Sequence, residues 1–393
     1  MKTPRPEPIP DALRALIGQG TDAIGTPALV VDLDAANRNM QRMIEFAAKH
    51  HLRLRPHAKM HKSSDFARLQ MQAGAVGVCT QTVAEAEALA AGGIKDIFIS
   101  NEVLAVPKLR RVAALAHQLK ARDGQLAIAI DSAEGLERLA QAMMLTHAVI
   151  DVFIEVDVGQ GRAGVAPGEA AVELARLLSG RSASLRYAGL HAYHGGAQHL
   201  RSVVERRNAI ALAADALQRT LTALQAAGLP PPLVTGAGTG TFAHEAASGL
   251  WGELQPGSFL FMDADYLKNQ RDAIQPQFEP ALFVKAQVIS ASAHHAVIDA
   301  GHKSHAIDSG LPTVLPAQPE QLAPQFVNGG DEHGILRPAT EDAPLPALGD
   351  TVWLIPGHCD PTVNLHTHLI VVRGGLHEGK VEAVVPVDAR GTW

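Results

Sequence analysis

Through the first two-thirds of the chain, short apolar runs alternate with longer segments whose apolar residues recur at helical spacing. The runs cover 28–33, 52–59, 76–81, 96–101, 126–131, 152–157, 187–193 and 233–238. Stretches such as Ile97-Phe98-Ile99 and Leu126-Ala127-Ile128-Ala129-Ile130 are apolar without alternation. That suits parallel strands buried on both faces. Between them, 35–50 carries Met40, Met43, Ile44 and Ala47 on one helical face. Segments 82–91, 106–119, 132–146, 169–179 and 202–227 read the same way. Thr82 stands three places before Glu85, the spacing of a capping box. Ser132 is an N-cap without the box, because Gly135 occupies the partner position. Eight strand–helix units predict an α/β fold, a (β/α)8 TIM barrel of roughly 250 residues.

From about Tyr266 the pattern shortens to alternating runs at 282–290, 296–299, 351–355, 368–372 and 381–385, punctuated by Gly and Pro. The last two flank a glycine-rich turn and predict a hairpin. The expected organisation is a barrel over 25–268 and a C-terminal β domain over 269–393, with residues 1–24 packed against the latter.

Composition narrows the class. The chain has 393 residues, 34 basic and 40 acidic side chains, a formal net charge of -6 and 4% aromatic residues. No basic run interleaved with aromatics points to nucleic acid. Two cysteines, Cys79 and Cys359, exclude a disulfide framework. The first six residues carry no apolar signal region, and no run is apolar for the roughly 18 residues a bilayer crossing needs. A soluble cytoplasmic protein with no membrane or nucleic-acid partner is expected.

Polar residues collect where the predicted strands end, which is where a barrel places its active site. They are His57 and Lys59, Gln81, Asn101, Asp131, the stretch from Asp157 to Arg162, His191 and Tyr193, and the loop Thr235-Gly236-Ala237-Gly238-Thr239-Gly240-Thr241. The glycines of that loop would let backbone approach an anion, as barrels do for phosphate after their last strands. An ordinary flexible turn would look the same. Lys59 follows a buried strand, and a desolvated lysine loses its proton more easily and can form a Schiff base. Lys62 fits an exposed turn lysine better. In Pro356-Gly357-His358-Cys359-Asp360, an extended backbone would point His358 and Asp360 the same way, as a pair for Mn²⁺, Mg²⁺ or Zn²⁺. The alternative is a polar turn before the hairpin. His194 and His199 follow the seventh run, and either suits a general base.

These motifs carry a resemblance. The chain resembles D-threonine aldolases, eukaryotic-type D-serine dehydratases and 3-hydroxy-D-aspartate aldolases and dehydratases, fold-type III pyridoxal phosphate enzymes related to alanine racemase. The resemblance runs through 26–33, 55–62, 100–103, 155–162, 191–195, 236–241, 253–258, 262–266, 331–334 and 356–364. It implies an alanine racemase-like barrel plus β domain, assembled as a homodimer, with pyridoxal 5′-phosphate and a divalent metal, manganese first. It implies Lys59 as the Schiff-base lysine and His199 as a base near the substrate hydroxyl. His57, Gln81, Arg162, Tyr193, Thr235, Gly236, Gly238, Thr239, Gly240 and Thr241 would bind the cofactor, and His358 and Asp360 the metal. Dehydratases of this group tend to show His-x-Cys and aldolases His-x-Asp, so Asp360 implies an aldolase. The implied reaction is cleavage of D-threonine and related D-β-hydroxy amino acids to glycine and an aldehyde. The alternatives are a 3-hydroxy-D-aspartate aldolase giving glyoxylate, or a D-serine or D-hydroxyaspartate dehydratase. A non-catalytic cofactor carrier would lack the β domain, and a racemase would need a second base that the β domain does not offer. Ala237 stands where relatives often have glycine, which changes little if the backbone there keeps φ below zero.

Overall fold

The computed structural model describes residues 8–391, apart from 145, 181, 182, 317 and 319. Eight parallel strands build one sheet: β2 (Arg53–Leu54), β3 (Val78–Thr80), β4 (Asp96–Ile99), β5 (Gln125–Ile130), β6 (Ile150–Glu155), β7 (Leu185–Ala192), β8 (Val234–Gly236) and β9 (Glu253–Leu254). Their order is β2-β9-β8-β7-β6-β5-β4-β3. A parallel bridge between His57 and Cys79 closes the cylinder. So do the N–H groups of Val76 and Cys79, which donate to the carbonyls of Leu54 and Pro56.

The barrel therefore does not begin where the sequence pattern places it. Strand β1 (Ala28–Asp32) pairs antiparallel with β10 (Leu282–Ala291) and parallel with the strand His368–Arg373. It lies inside the second sheet. Burial on both faces is common to barrel strands and to central strands of a covered mixed sheet, so an apolar run alone does not distinguish them. The eighth barrel strand is β9, only two residues long and holding the fully buried Glu253. It is too short and too polar to read as a strand.

The helices follow the amphipathic segments. Thr82 and Glu85 form the reciprocal capping box, and Ser132 accepts from the Gly135 N–H. Leu33–Lys49 starts on Asp32, whose carboxylate accepts from the N–H of Asp34 and Ala35. A further helix, Ser64–Gln72, follows the Lys59 turn. The side chains of Val78, Ile97, Leu126 and Ile128 pack outward against these helices, whereas Cys79, Phe98, Ala127, Ala129 and Phe153 fill the interior.

The second sheet holds nine strands, and Lys380–Pro386 pairs with His368–Arg373 as the expected hairpin. Residues 18–21 bond along Gly379–Val381, and Lys285 donates to the carbonyls of Thr21 and Ile24. Leu29, Val31, Met43 and Phe46 share one apolar core with Phe259, Phe261, Leu354 and Leu369. That core locks the sheet onto the barrel. Among the described residues, no helix is long and apolar enough to cross a membrane.

Candidate active site

One cavity opens at the carboxyl ends of the barrel strands, against the β domain. Of the residues picked from sequence, His57, Lys59, Gln81, Arg162, Tyr193, His199, Gly238, Thr239, His358 and Asp360 line it.

Lys59 sits in the 3-10 turn Ala58–Met60, directly after β2. His57 caps that turn, its Nδ1 accepting from the Lys59 N–H at 3.3 Å. Nε2 is then the protonated nitrogen, 3.2 Å from both Gln81 Oε1 and Ser100 Oγ. Burial, helped by the Lys59 charge, pushes His57 down to about 3 and keeps it neutral. Lys59 Nζ lies 3.4 Å from Asp360 Oδ2. Desolvation was expected to ease the proton off Lys59; instead the Asp360 carboxylate holds the amine above the usual lysine range. A cation on Asp360, or an aldehyde on the amine, would dissolve that ion pair.

The metal pair is not extended. Cys359–Leu365 is a helix, and His358 is its N-cap. Asp360 falls in the first turn, where the helix dipole favours an acid. The pair still converges, with His358 Nε2 3.7 Å from Asp360 Oδ1. Asp263, fully buried, accepts from His358 Nδ1 at 2.7 Å and from the Cys359 N–H at 3.0 Å. Burial opposes a charge on His358, but Asp263 and Asp360 hold it up at about 9. An imidazole held by a carboxylate on one nitrogen, with the other facing a carboxylate in a cavity, is a donor set suited to a divalent cation. Asp263, His358 and Cys359 also lie close enough to surround an ion. Asp263 is already committed to two donors there, and burial pushes the Cys359 thiol well up. His358 with Asp360 is therefore the better pair.

His199 Nδ1 donates to Asp265 at 2.6 Å, and Arg201 pairs with the same carboxylate. Its ring stands 6.5 Å from that of His358 and 5.6 Å from Tyr266. Nε2 is left as an acceptor, the arrangement of a base held by a carboxylate.

The glycine loop is split. Ala237, Gly238 and Thr239 face the cavity, and a Cβ on Gly238 would stand 2.5 Å from Gln198. Gly257 closes the same wall, where a Cβ would stand 3.0 Å from the His57 carbonyl. This close backbone approach around a lysine amine fits a phosphorylated aldehyde. The other four loop residues lie behind the wall. Thr235 bonds Glu253, a Cβ on Gly236 would collide with the Ala192 carbonyl, Gly240 donates to Gln198 and Thr241 donates to Glu245. Ala237 has φ +72°, so the condition that would make its replacement of glycine harmless is not met.

Thr235 instead belongs to a polar chain through the barrel interior. Arg55 Nε donates to Glu253 Oε1, and the Thr235 hydroxyl donates to the same oxygen at 2.8 Å. Gln255 Nε2 donates to Thr235 at 2.6 Å, while its Oε1 lies 3.2 Å from His191 Nε2. His191 Nδ1 reaches Glu155 at 2.9 Å. Burial would raise Glu155, yet His191 and its hydrogen bond hold the carboxyl below its ordinary range. Arg162 stands 3.9 Å from Glu155 and 5.7 Å above the Tyr193 ring. Burial and neighbouring Glu155 push Glu102 up to about 7.

Ser100, His191, Gln255, Ser258 and Tyr266 join the cavity lining, with Asp263 and Asp265 behind it. His191 is marked in the sequence by its place at a strand end, and the others only by the short motifs 100–103, 253–258 and 262–266, without a role.

Residues 31–265 match the alanine racemase N-terminal domain family, and residues 281–372 match a serine dehydratase-type domain. A curated D-threonine aldolase from an Arthrobacter species is 42% identical, over 94% of this chain and 93% of its own. A 3-hydroxy-D-aspartate aldolase from Paracoccus denitrificans is 39% identical, over 96% and 95%. The crystal structure of D-threonine aldolase from Filomicrobium marinum superposes with a TM-score of 0.90 at 43% identity, covering 95% of this chain and 98% of that one.

Proposed function

The chain belongs to the fold-type III, pyridoxal phosphate-dependent D-threonine aldolase family, and as a lyase of that family we propose that it cleaves D-threonine and related D-β-hydroxy amino acids to glycine and an aldehyde, using a divalent metal. The observation that carries this reading is the meeting of Lys59, His199, His358 and Asp360 in one cavity.

Lys59 would hold the cofactor, with Gly238, Thr239 and Ser258 around its phosphate and Tyr193 and Arg162 beside its ring. When bound, pyridoxal phosphate supplies the electron sink for a carbanion at the substrate Cα. His358 and Asp360 would hold a divalent ion, manganese first, whose chemistry there is to acidify the β-hydroxyl. His199 Nε2 takes the hydroxyl proton, and Asp265 steadies the imidazolium that results. As the Cα–Cβ bond breaks, the alkoxide oxygen becomes the aldehyde carbonyl. A proton delivered to Cα then completes glycine. Asp263 keeps the His358 ring turned so that Nε2 faces the cavity.

Elimination of water to a keto acid is less well supported. Asp360 supplies the carboxylate beside His358, while Cys359 is fully buried with its thiol pushed well up. Incubation with D-threonine, D-3-hydroxyaspartate and D-serine, with Mn²⁺ or with EDTA, tests the reading. Glycine in equal amount to acetaldehyde or glyoxylate, lost on chelation, is expected. Ammonia with 2-oxobutyrate, oxaloacetate or pyruvate would overturn it.

A further inference from the structure

Lys62 was expected to be an exposed turn lysine, but it is 7% exposed and the backbone there has φ +50°. Its ammonium reaches three separate parts of the chain. Nζ donates to Asn364 Oδ1 at 2.9 Å, at the end of the helix that His358 caps. It donates to the Gly391 carbonyl at 3.2 Å, and stands 3.4 Å from Glu85 Oε1. The Lys62 carbonyl accepts from the Ala389 N–H at 3.0 Å. Around it, the Gly391 N–H donates to Asn364 Oδ1, and both the N–H and the hydroxyl of Ser64 donate to Asp388 at 2.7 Å. Residues 387–391 thus form a strap across the Lys59 turn and the helix bearing Asp360.

We propose that Lys62 is a positioning residue, which clasps the helix Cys359–Leu365 to the Lys59 turn and so fixes His358 and Asp360 for their cation; this rests on the metal reading above. A compact ammonium with three rotatable donors suits three acceptors that arrive from different directions. Its removal takes the cation away from the buried Glu85 Oε1 and a donor from the Gly391 carbonyl, which lowers stability. Glu85 Oε2 still accepts from the N–H groups of Gln81 and Thr82, and Asn364 keeps the Gly391 N–H. Lys62→Met is therefore expected to melt lower, and the helix loses its tether at the end away from His358.

The test uses holoenzyme of wild type and Lys62→Met, with Mn²⁺ binding followed by electron paramagnetic resonance of the free ion. Melting temperature and the absorbance of the lysine-bound cofactor are recorded alongside. The variant is expected to keep the absorbance and to bind Mn²⁺ about tenfold more weakly, the scale typical of groups behind a metal ligand. Saturating Mn²⁺ should restore its kcat. Unchanged Mn²⁺ affinity in the variant, with wild type binding normally, overturns the clasp alone, even if the melting temperature falls. Failure of wild type to bind Mn²⁺ removes the metal reading and the clasp with it. If Lys62→Met does not fold, Asn364→Ala cuts the same tether and carries the same two outcomes.

Discussion

At the scale of single residues, two side chains sit under stress whose release can be measured. Ala237 holds φ +72° in the wall of the cavity, a conformation that costs an L-residue roughly 1–2 kcal/mol. Glycine at this position gives back part of that in unfolded-state entropy. Ala237→Gly should stabilise the protein by about 0.5–1 kcal/mol in urea denaturation. A loss of stability would mean that the alanine methyl makes a contact worth more than the strain. The second is His358, held near 9 in the metal-free protein by Asp263 and Asp360. A metal must displace its Nε2 proton, so binding releases a proton below that pH. Mn²⁺ affinity should therefore climb by up to about tenfold per pH unit towards 9 and then flatten. A pH-independent affinity between 6 and 8 would contradict His358 as a ligand.

Single elements show what the sequence could and could not disclose. Helices with an amphipathic stripe and a cap were legible almost to their ends, because local residues decide them. The sheet to which β1 belongs was not, because its partners Leu282–Val284 and Ile370–Val372 lie hundreds of residues away. The helix Cys359–Leu365 was read as extended, since its seven residues include Pro361 and are too few to show a period. His358 and Asp360 nonetheless meet, because an N-cap and the first turn present side chains to the same end. The position of Lys59 at the cavity was legible from its place after a buried strand. Asp263, Asp265 and Gln255 were missed as site residues because their roles exist only through the groups they touch. Thr235 belongs to strand β8, and its hydroxyl serves the barrel interior, not the cavity. Thr235→Val keeps the shape but leaves the Gln255 amide short of an acceptor, a loss of about 1–3 kcal/mol. It should also shift the absorbance of the bound cofactor through Gln255 and His191. Thr235→Ser should restore both. A valine variant with wild-type stability and spectrum would deny the chain any part in positioning.

The whole molecule carries a pH dependence built from buried neutral histidines. Burial pushes His61 and His305 each down to about 4. Both are fully buried, His61 beside Gln70 and His305 against the Phe326 ring. Their folded values lie below the unfolded value of about 6.5, so the unfolded chain binds more protons between pH 6.5 and 4. Each ring therefore contributes a loss of stability as pH drops through that window, at most about 1.4 kcal/mol per pH unit, which the raised Glu102, Glu245 and His358 oppose. Urea midpoints at pH 7.5 and pH 5 should show that His305→Phe removes one such contribution, so that the variant gains relative to wild type at pH 5. A stability difference between variant and wild type that is the same at both pH values would contradict the burial of His305 as a neutral group.

Barrel, sheet and strap meet at one amine, and the account depends on the cofactor being attached there. Borohydride reduction of the holoprotein, followed by peptide mass mapping, tests this most directly. The pyridoxyl group should be found on the peptide containing Lys59 and, by fragmentation, on that residue. A label on Lys62, or none on either lysine, would contradict the account.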